Sequence, residues 1–124
     1  MSNENLRQRT KRFALRVIRL VESLSRDRTC DVLGKQLLRA GTSVGANYRA
    51  ACRSKSTPDF ISKMGTVEEE ADESGYWMEL LVDADKIKPV KISALMKEAD
   101  ELTAIAVASI NTARRSANRH ERAQ

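Results

Sequence analysis

The chain has 124 residues, of which 41% are hydrophobic and only 4% aromatic, and its formal net charge is +5 at pH 7. A chain of this length forms one domain around one continuous core, which here must be built mostly from aliphatic side chains and alanine. Two cysteines are too few for a disulfide framework and no hydrophobic run is long enough to span a membrane, so we expect a cytoplasmic protein with no membrane partner.

The first half of the chain predicts two amphipathic helices, because its apolar residues recur at alternating spacings of three and four. The first helix is predicted between about Leu6 and Leu24. A short polar turn follows, and Thr29 is the predicted N-cap of a second helix that ends near Arg53. The inner face of this helix includes an amide, Asn47, which must find a hydrogen-bond partner or cost about 1–3 kcal/mol.

The second half predicts two more helices of the same kind. Thr57 suits the N-cap of the third helix, and Pro58 suits its first helical position. A second proline ends that unit, and the fourth helix is predicted to begin near Val90. We therefore expect a four-helix domain at residues 1–115, followed by a basic, disordered tail at residues 116–124.

The pattern contains no strand signal and no internal repeat. Helices of about 20 residues that are joined by short turns favour an all-α, antiparallel up-down-up-down four-helix bundle.

Charge is distributed along the chain in three blocks. Residues 1–56 contain 13 Lys and Arg against 4 Asp and Glu, residues 57–110 contain 5 against 12, and residues 111–124 contain 4 against 1. This asymmetry is compatible with nucleic-acid binding by the basic half, or with pairing between basic and acidic regions of different subunits.

Two stripes of cations on the first two helices are the candidate nucleic-acid contacts. One follows a side of the first helix and the other the outer face of the second, and together they suit phosphates if both faces point the same way. Because aromatic residues are scarce, we expect contact with the backbone and weak sequence preference, without base stacking. The predicted contacts are Arg9, Arg12, Arg16, Arg19, Lys35, Arg39, Arg49 and Arg53. For Arg39 the alternative is an ion pair with Glu69 or Glu73 of the acidic third helix.

The second helix also carries a second stripe of small and apolar residues: Gly34, Leu38, Gly41, Gly45, Tyr48 and Cys52. Glycine inside a helix costs about 0.5–1 kcal/mol relative to alanine, so several of them indicate the close approach of another helix. Together with the broad apolar faces of the third and fourth helices, this stripe predicts a homo-oligomer. The predicted interface residues are Leu38, Gly41, Gly45, Tyr48, Ile61 and Trp77.

Residues for catalysis or metal binding are missing from the sequence pattern. A di-iron bundle needs Glu-x-x-His motifs on two helices, whereas the only histidine is His120, in the predicted tail. Ser43, Cys30 and Cys52 have no histidine near them in sequence to act as an activating base. We therefore expect that the protein is not an enzyme and uses neither a metal nor another cofactor.

A short motif links the chain to a known family. Arg39-Ala40 followed by Ser43-Val44 and Asn47 resembles the four-helix bundle proteins that are encoded in intervening sequences of bacterial large-subunit ribosomal RNA genes. That family is similar to the accessory variability protein of diversity-generating retroelements. The resemblance covers most of the chain, but its specific motif is confined to residues 37–60. Where the family often has Glu-Gly soon after the asparagine, this chain has Arg49-Ala50-Ala51.

The resemblance implies a ring-shaped homopentamer of bundles and, for the retroelement-like relatives, a reverse transcriptase as a partner. Together with the basic stripes it predicts a non-enzymatic oligomer that contacts the phosphates of RNA or of an RNA–DNA hybrid. The alternative is a structural or protein-interaction scaffold with basic-to-acidic pairing between subunits and no nucleic-acid role.

Overall fold

The computed structural model describes the backbone of residues 3–123 and the side chains of residues 5–123. Within that part of the chain there are four α-helices and no strand. Numbered in chain order, α1 to α4 are Asn3–Ser23, Arg28–Cys52, Thr57–Asp83 and Pro89–Ala123. The predicted all-α four-helix fold is confirmed.

Side-chain caps determine where α2 and α3 begin. Asp27 caps α2 by accepting a hydrogen bond of 2.8 Å from the backbone amide three residues ahead. Ser56 caps α3 in the same way, at 3.2 Å. The predictions of Thr29 and Thr57 as caps are therefore wrong by one or two residues. Aspartate, serine and threonine are all suitable N-caps, and a row of them does not say which one the chain will use.

The core is aliphatic, as the composition requires, and all four helices contribute to it. The largest fully buried apolar side chains are Phe13, Leu37, Met64, Met78, Leu81, Ile92 and Leu102. Two polar residues, Thr10 and Ser74, are also buried. Each hydroxyl donates a hydrogen bond to a backbone carbonyl of its own helix, at 3.2 Å and 2.8 Å, so neither buries an unsatisfied polar group.

The glycines of α2 bring it close to α1 of the same chain. A Cβ atom at Gly41 would lie only 2.8 Å from both γ-carbons of Val17, and one at Gly45 would lie 3.2 Å from the hydroxyl of Thr10. The prediction that Gly41 and Gly45 face another subunit is therefore corrected, since α1 already occupies that position. Tyr48 is only 3% exposed and belongs to the core, so it does not form an open interface either.

α4 is longer than predicted. It continues through residues 116–123, the segment for which the sequence predicts a disordered tail; residue 124 lies outside the described part of the chain. The segment contains alanine, arginine and glutamate but neither proline nor glycine, and it can therefore extend the helix. With 35 residues against 21 in α1, α4 is longer by about 20 Å.

Candidate nucleic-acid interface

Arg9, the first cation of the predicted α1 stripe, is bound to α4. Its Nε donates to Oε2 of Glu98 and its Nη2 to Oε1 of the same residue, both at 2.8 Å, and Nη2 also donates to Glu101 at 2.7 Å. The hydrogen bond from Arg9 holds the pKa of Glu98 below its ordinary value. With its charge neutralised and its side chain 20% exposed, Arg9 is not available as a phosphate contact, and that prediction is corrected.

Arg39 is also held by carboxylates. Its Nη1 donates to Glu70 at 3.0 Å and its Nη2 to Glu73 at 2.6 Å, and the bond to Glu73 raises the pKa of the guanidinium. Glu73 also accepts a hydrogen bond from Trp77 at 3.3 Å, which ties the predicted interface residue to the same network. Of the two alternatives for Arg39, phosphate contact or an ion pair with α3, the structure contains the ion pair. Glu73 is one of the two predicted partners, and the second partner is Glu70 and not Glu69.

The other predicted cations differ in how far they are exposed. Within the described chain the exposed ones form no ion pair shorter than 4.0 Å; they are Arg12, Arg19, Lys35, Arg49 and Arg53. Arg16 is partly buried, and its charge lowers the pKa of Glu98.

The stripe on α1 and the stripe on α2 do not form one continuous surface. The α1 stripe lies on the side of α1 that faces α4, whereas the α2 stripe lies on the other side of α1. The helix meets α2 through Thr10 and Val17, and it meets α4 through Arg9, with Arg16 acting on the same carboxylate of α4. Lys35, by contrast, lines a groove between α2 and the end of α1. The sequence analysis required that the stripes face the same way, and for these residues they do not.

Positive charge collects instead at one end of the bundle. Leu6, Tyr48 and Phe60 line one groove together with residues 105–113, so the beginnings of α1 and α3, the end of α2 and the second half of α4 meet there. Further along α4, Arg114, Ala117, Asn118 and Glu121 line a depression together with the beginning of α3.

We call the cations at this end the basic end: Arg49, Arg53, Lys55, Arg114, Arg115, Arg119 and Arg122. Carboxylates also lie at this end. Asp59 is paired with Lys63 at 2.6 Å, Glu68 and Glu69 line a groove together with Arg114, and Glu121 lies in the depression. The sequence does not predict that α4 adds arginines to the basic end. It does not show that the last arginines continue a helix, nor that this helix passes beside the turn between α2 and α3.

Comparison with known proteins identifies the family. Residues 3–108 match the family described as 23S rRNA-intervening sequence proteins. The chain belongs to this family. A crystal structure of similar fold is that of a protein of unknown function from the S23 ribosomal protein family of Bacteroides thetaiotaomicron. The two are 32% identical with a TM-score of 0.83, over 90% of this chain and 99% of that one. A search of curated proteins gives no match.

Metal ligands and reactive thiols are the other candidate groups for chemistry in this intervening-sequence protein. Among the described residues, no group of three or more His, Cys, Asp and Glu side chains could hold a metal ion. Cys30 and Cys52 are free thiols, and burial raises the pKa of Cys30, which disfavours the reactive thiolate. No helix in the described chain is long and apolar enough to cross a membrane.

Proposed function

We propose that this chain is a non-enzymatic, cytoplasmic nucleic-acid-binding bundle protein that contacts the phosphates of RNA or of an RNA–DNA hybrid. The proposal rests on one observation. Arg9 and Arg39 are neutralised by carboxylates, but the other exposed cations of the two stripes on α1 and α2 form no ion pair within the described chain. Arg49 and Arg53, at the basic end, are the central contacts. The family name, which refers to 23S ribosomal RNA, favours an RNA-containing partner.

Contact is with the phosphate backbone and carries little sequence preference. Arginine and lysine supply the non-specific electrostatic part of nucleic-acid affinity, whereas base recognition requires base-edge contacts or aromatic stacking. The exposed aromatic side chain of Tyr76 lies on α3, among acidic residues and away from the basic end.

The proposal includes a homo-oligomer, with a ring of five antiparallel up-down-up-down bundles favoured by the family resemblance and a reverse transcriptase as a further candidate partner. Leu38 is 36% exposed on α2, and Ile61 and Trp77 are partly buried at the margin of the core. These three remain the candidate subunit contacts. Leu15 of α1, 41% exposed, adds apolar surface that an isolated bundle would leave in water.

The alternative function, a scaffold without nucleic acid, is favoured by the outer face of α3. Glu69, Asp72, Glu79 and Asp83 are exposed there, on the same helix as Tyr76. The basic end of one subunit could pair with this acidic face of the next. Salt distinguishes the two functions, because nucleic-acid affinity would fall steeply with salt whereas a charge-paired ring would itself dissociate.

The decisive experiment measures the affinity for a fluorescently labelled RNA–DNA hybrid as a function of salt. Arg49→Gln with Arg53→Gln should flatten the plot of log affinity against log salt by about 1.4–1.8, since each phosphate contact contributes about 0.7–0.9. The loss should be equal for unrelated sequences. Lys88→Gln with Lys91→Gln removes the same charge from the other end of the bundle, where α4 begins, and should leave the slope unchanged.

Circular dichroism and light scattering on both double variants test whether fold and assembly are preserved. If the wild-type protein binds neither RNA, DNA nor hybrid at low salt, the nucleic-acid function is rejected in favour of the scaffold.

A further inference from the structure

The last turns of α4 extend beyond the buried part of the bundle. Ile110 is the last buried residue of the helix. From Asn111 to Ala123 only Ala113 and Ala117 are partly covered, and every other residue is exposed. We call residues 111–123 the α4 arm; at 1.5 Å per residue it is about 20 Å long. It lies beyond residues 3–108, the part of the chain that matches the family.

The arm presents a face of unpaired positive charge. It contains four arginines and one glutamate. Arg115, Arg119 and Arg122 follow one another at spacings of four and three, so they lie on one side of the helix. None of the three forms an ion pair within the described chain, and the only side-chain partner of Arg115 is the hydroxyl of Thr112, at 3.4 Å.

The composition of the arm indicates what kind of partner it fits. A helix that docks against another protein helix needs a stripe of large apolar residues, and the only apolar residues of the arm are alanines. Its other exposed polar residues are Asn111, Thr112, Ser116, Asn118, His120 and Glu121. Amides, hydroxyls and arginine are the side chains that commonly contact phosphate oxygens, so a nucleic-acid backbone fits this surface better than a protein helix does.

The arm also continues the basic end. Six residues of the arm line a surface depression together with Thr57 and Pro58, directly after the turn that contains Lys55 and follows Arg53. They are Arg114, Ser116, Ala117, Asn118, His120 and Glu121, whereas Arg115, Arg119 and Arg122 lie outside the depression. A nucleic acid bound at Arg49 and Arg53 would therefore have the arm within reach along its backbone.

We propose that the α4 arm is a second phosphate-binding element, which lies along the backbone of an RNA-containing duplex with Arg115, Arg119 and Arg122 on phosphates. This inference rests on the proposed function and adds to it a contact separate from Arg49 and Arg53. The arm lies outside the grooves, since the major groove of an A-form duplex is too deep and narrow for side chains to read.

The test replaces the three arginines in the full-length protein by Arg115→Gln, Arg119→Gln and Arg122→Gln. Glutamine is a good helix former, so the arm keeps its helix while it loses its charge. Binding to a labelled RNA–DNA hybrid should weaken by at least about tenfold near 100 mM salt, and the salt slope should flatten by about 2–3. The matched control neutralises three lysines in the first half of α4 and the preceding turn, Lys88, Lys91 and Lys97, and should retain the wild-type slope.

Three results would overturn the inference. If the arm variant keeps the wild-type slope while Arg49→Gln with Arg53→Gln flattens it, the arm is not a contact but the proposed function stands. If the arm variant changes the mass measured by light scattering without changing the slope, the arm contacts protein. If the wild type binds no nucleic acid at all, both the inference and the proposed function fail.

Discussion

Arg9 and Glu98 join α1 to α4 through two parallel hydrogen bonds, Nε to Oε2 and Nη2 to Oε1, each 2.8 Å long. The two residues are 89 positions apart in sequence, and the contact between their helices is the smallest among neighbouring helices of the bundle. Their side chains are only 20% and 15% exposed, so if one were removed the other would keep a largely desolvated charge. The pair is therefore a main element that holds the α1–α4 edge together.

Arg9→Gln should lower the free energy of unfolding by about 1–2 kcal/mol, between the values typical of exposed and buried ion pairs. Urea unfolding at fixed protein concentration, in a double-mutant cycle with Glu98→Gln, gives the coupling between the two side chains. Lys63→Gln breaks the more exposed pair with Asp59 and should cost much less. A coupling energy of zero would show that the α1–α4 edge does not depend on this pair.

The same pair should make stability depend on pH in a defined direction. Since Arg9 holds the folded pKa of Glu98 below its ordinary value, the contribution of Glu98 is complete above its unfolded pKa of about 4.3 and is lost as the pH falls through the folded pKa. The difference in melting temperature between the wild type and Arg9→Gln should therefore shrink as the pH is lowered from about 7 to about 3. A constant difference would contradict the assignment.

The helices and the family could be predicted from the sequence because both depend on local patterns. Apolar spacing defines an amphipathic helix without reference to its neighbours, and the motif from Arg39 to Asn47 is contiguous in sequence. Asn47 illustrates the limit of such patterns. Its amide was expected to need a partner, and it finds one in the backbone carbonyl of Ser43 at 2.8 Å, within its own helix.

Partners that lie far apart in sequence could not be predicted. The spacing of the arginines placed Arg9 on one side of α1, but nothing in that pattern indicates that Glu98 lies opposite. The glycines of α2 indicate that another helix packs closely against α2. They do not indicate whether that helix belongs to the same chain or to another subunit. The α4 arm was missed for a different reason, since the end of a polar helix without proline or glycine has no clear signal in sequence.

The end of α3 offers a test of backbone strain. Asp85 has a positive φ of 59°, and the amides of Asp85 and Lys86 donate to the carbonyls of Val82 and Leu81 at 3.0 Å and 2.9 Å, which closes the helix. Because glycine adopts this conformation without strain, Asp85→Gly should stabilise the protein by about 0.5–1 kcal/mol. The same change at Asp83, inside the helix, should destabilise it by a similar amount, and thermal unfolding of both variants compares the two sites directly. Equal effects would exclude the left-handed cap.

The glycines provide the sharpest test of how α1 and α2 pack. A Cβ atom at Gly41 would lie 2.8 Å from both γ-carbons of Val17, and a β-branched side chain in a helix has little freedom to rotate away. Gly41→Ala should therefore destabilise the protein by about 1–3 kcal/mol. Gly65 and Gly75 have open space where a Cβ would lie, so alanine at either should stabilise it by about 0.5–1 kcal/mol through helix propensity. Chemical denaturation of the three variants at one protein concentration shows whether each change raises or lowers the free energy of unfolding.

A second substitution identifies the cause of the Gly41 effect. Val17→Ala removes both γ-carbons, so in its background Gly41→Ala should cost less than it does alone. If Gly41→Ala instead stabilises the protein as Gly65→Ala is expected to, α1 does not lie against Gly41 in solution. The glycine face of α2 would then be open to another subunit, as the sequence pattern predicts for Gly41.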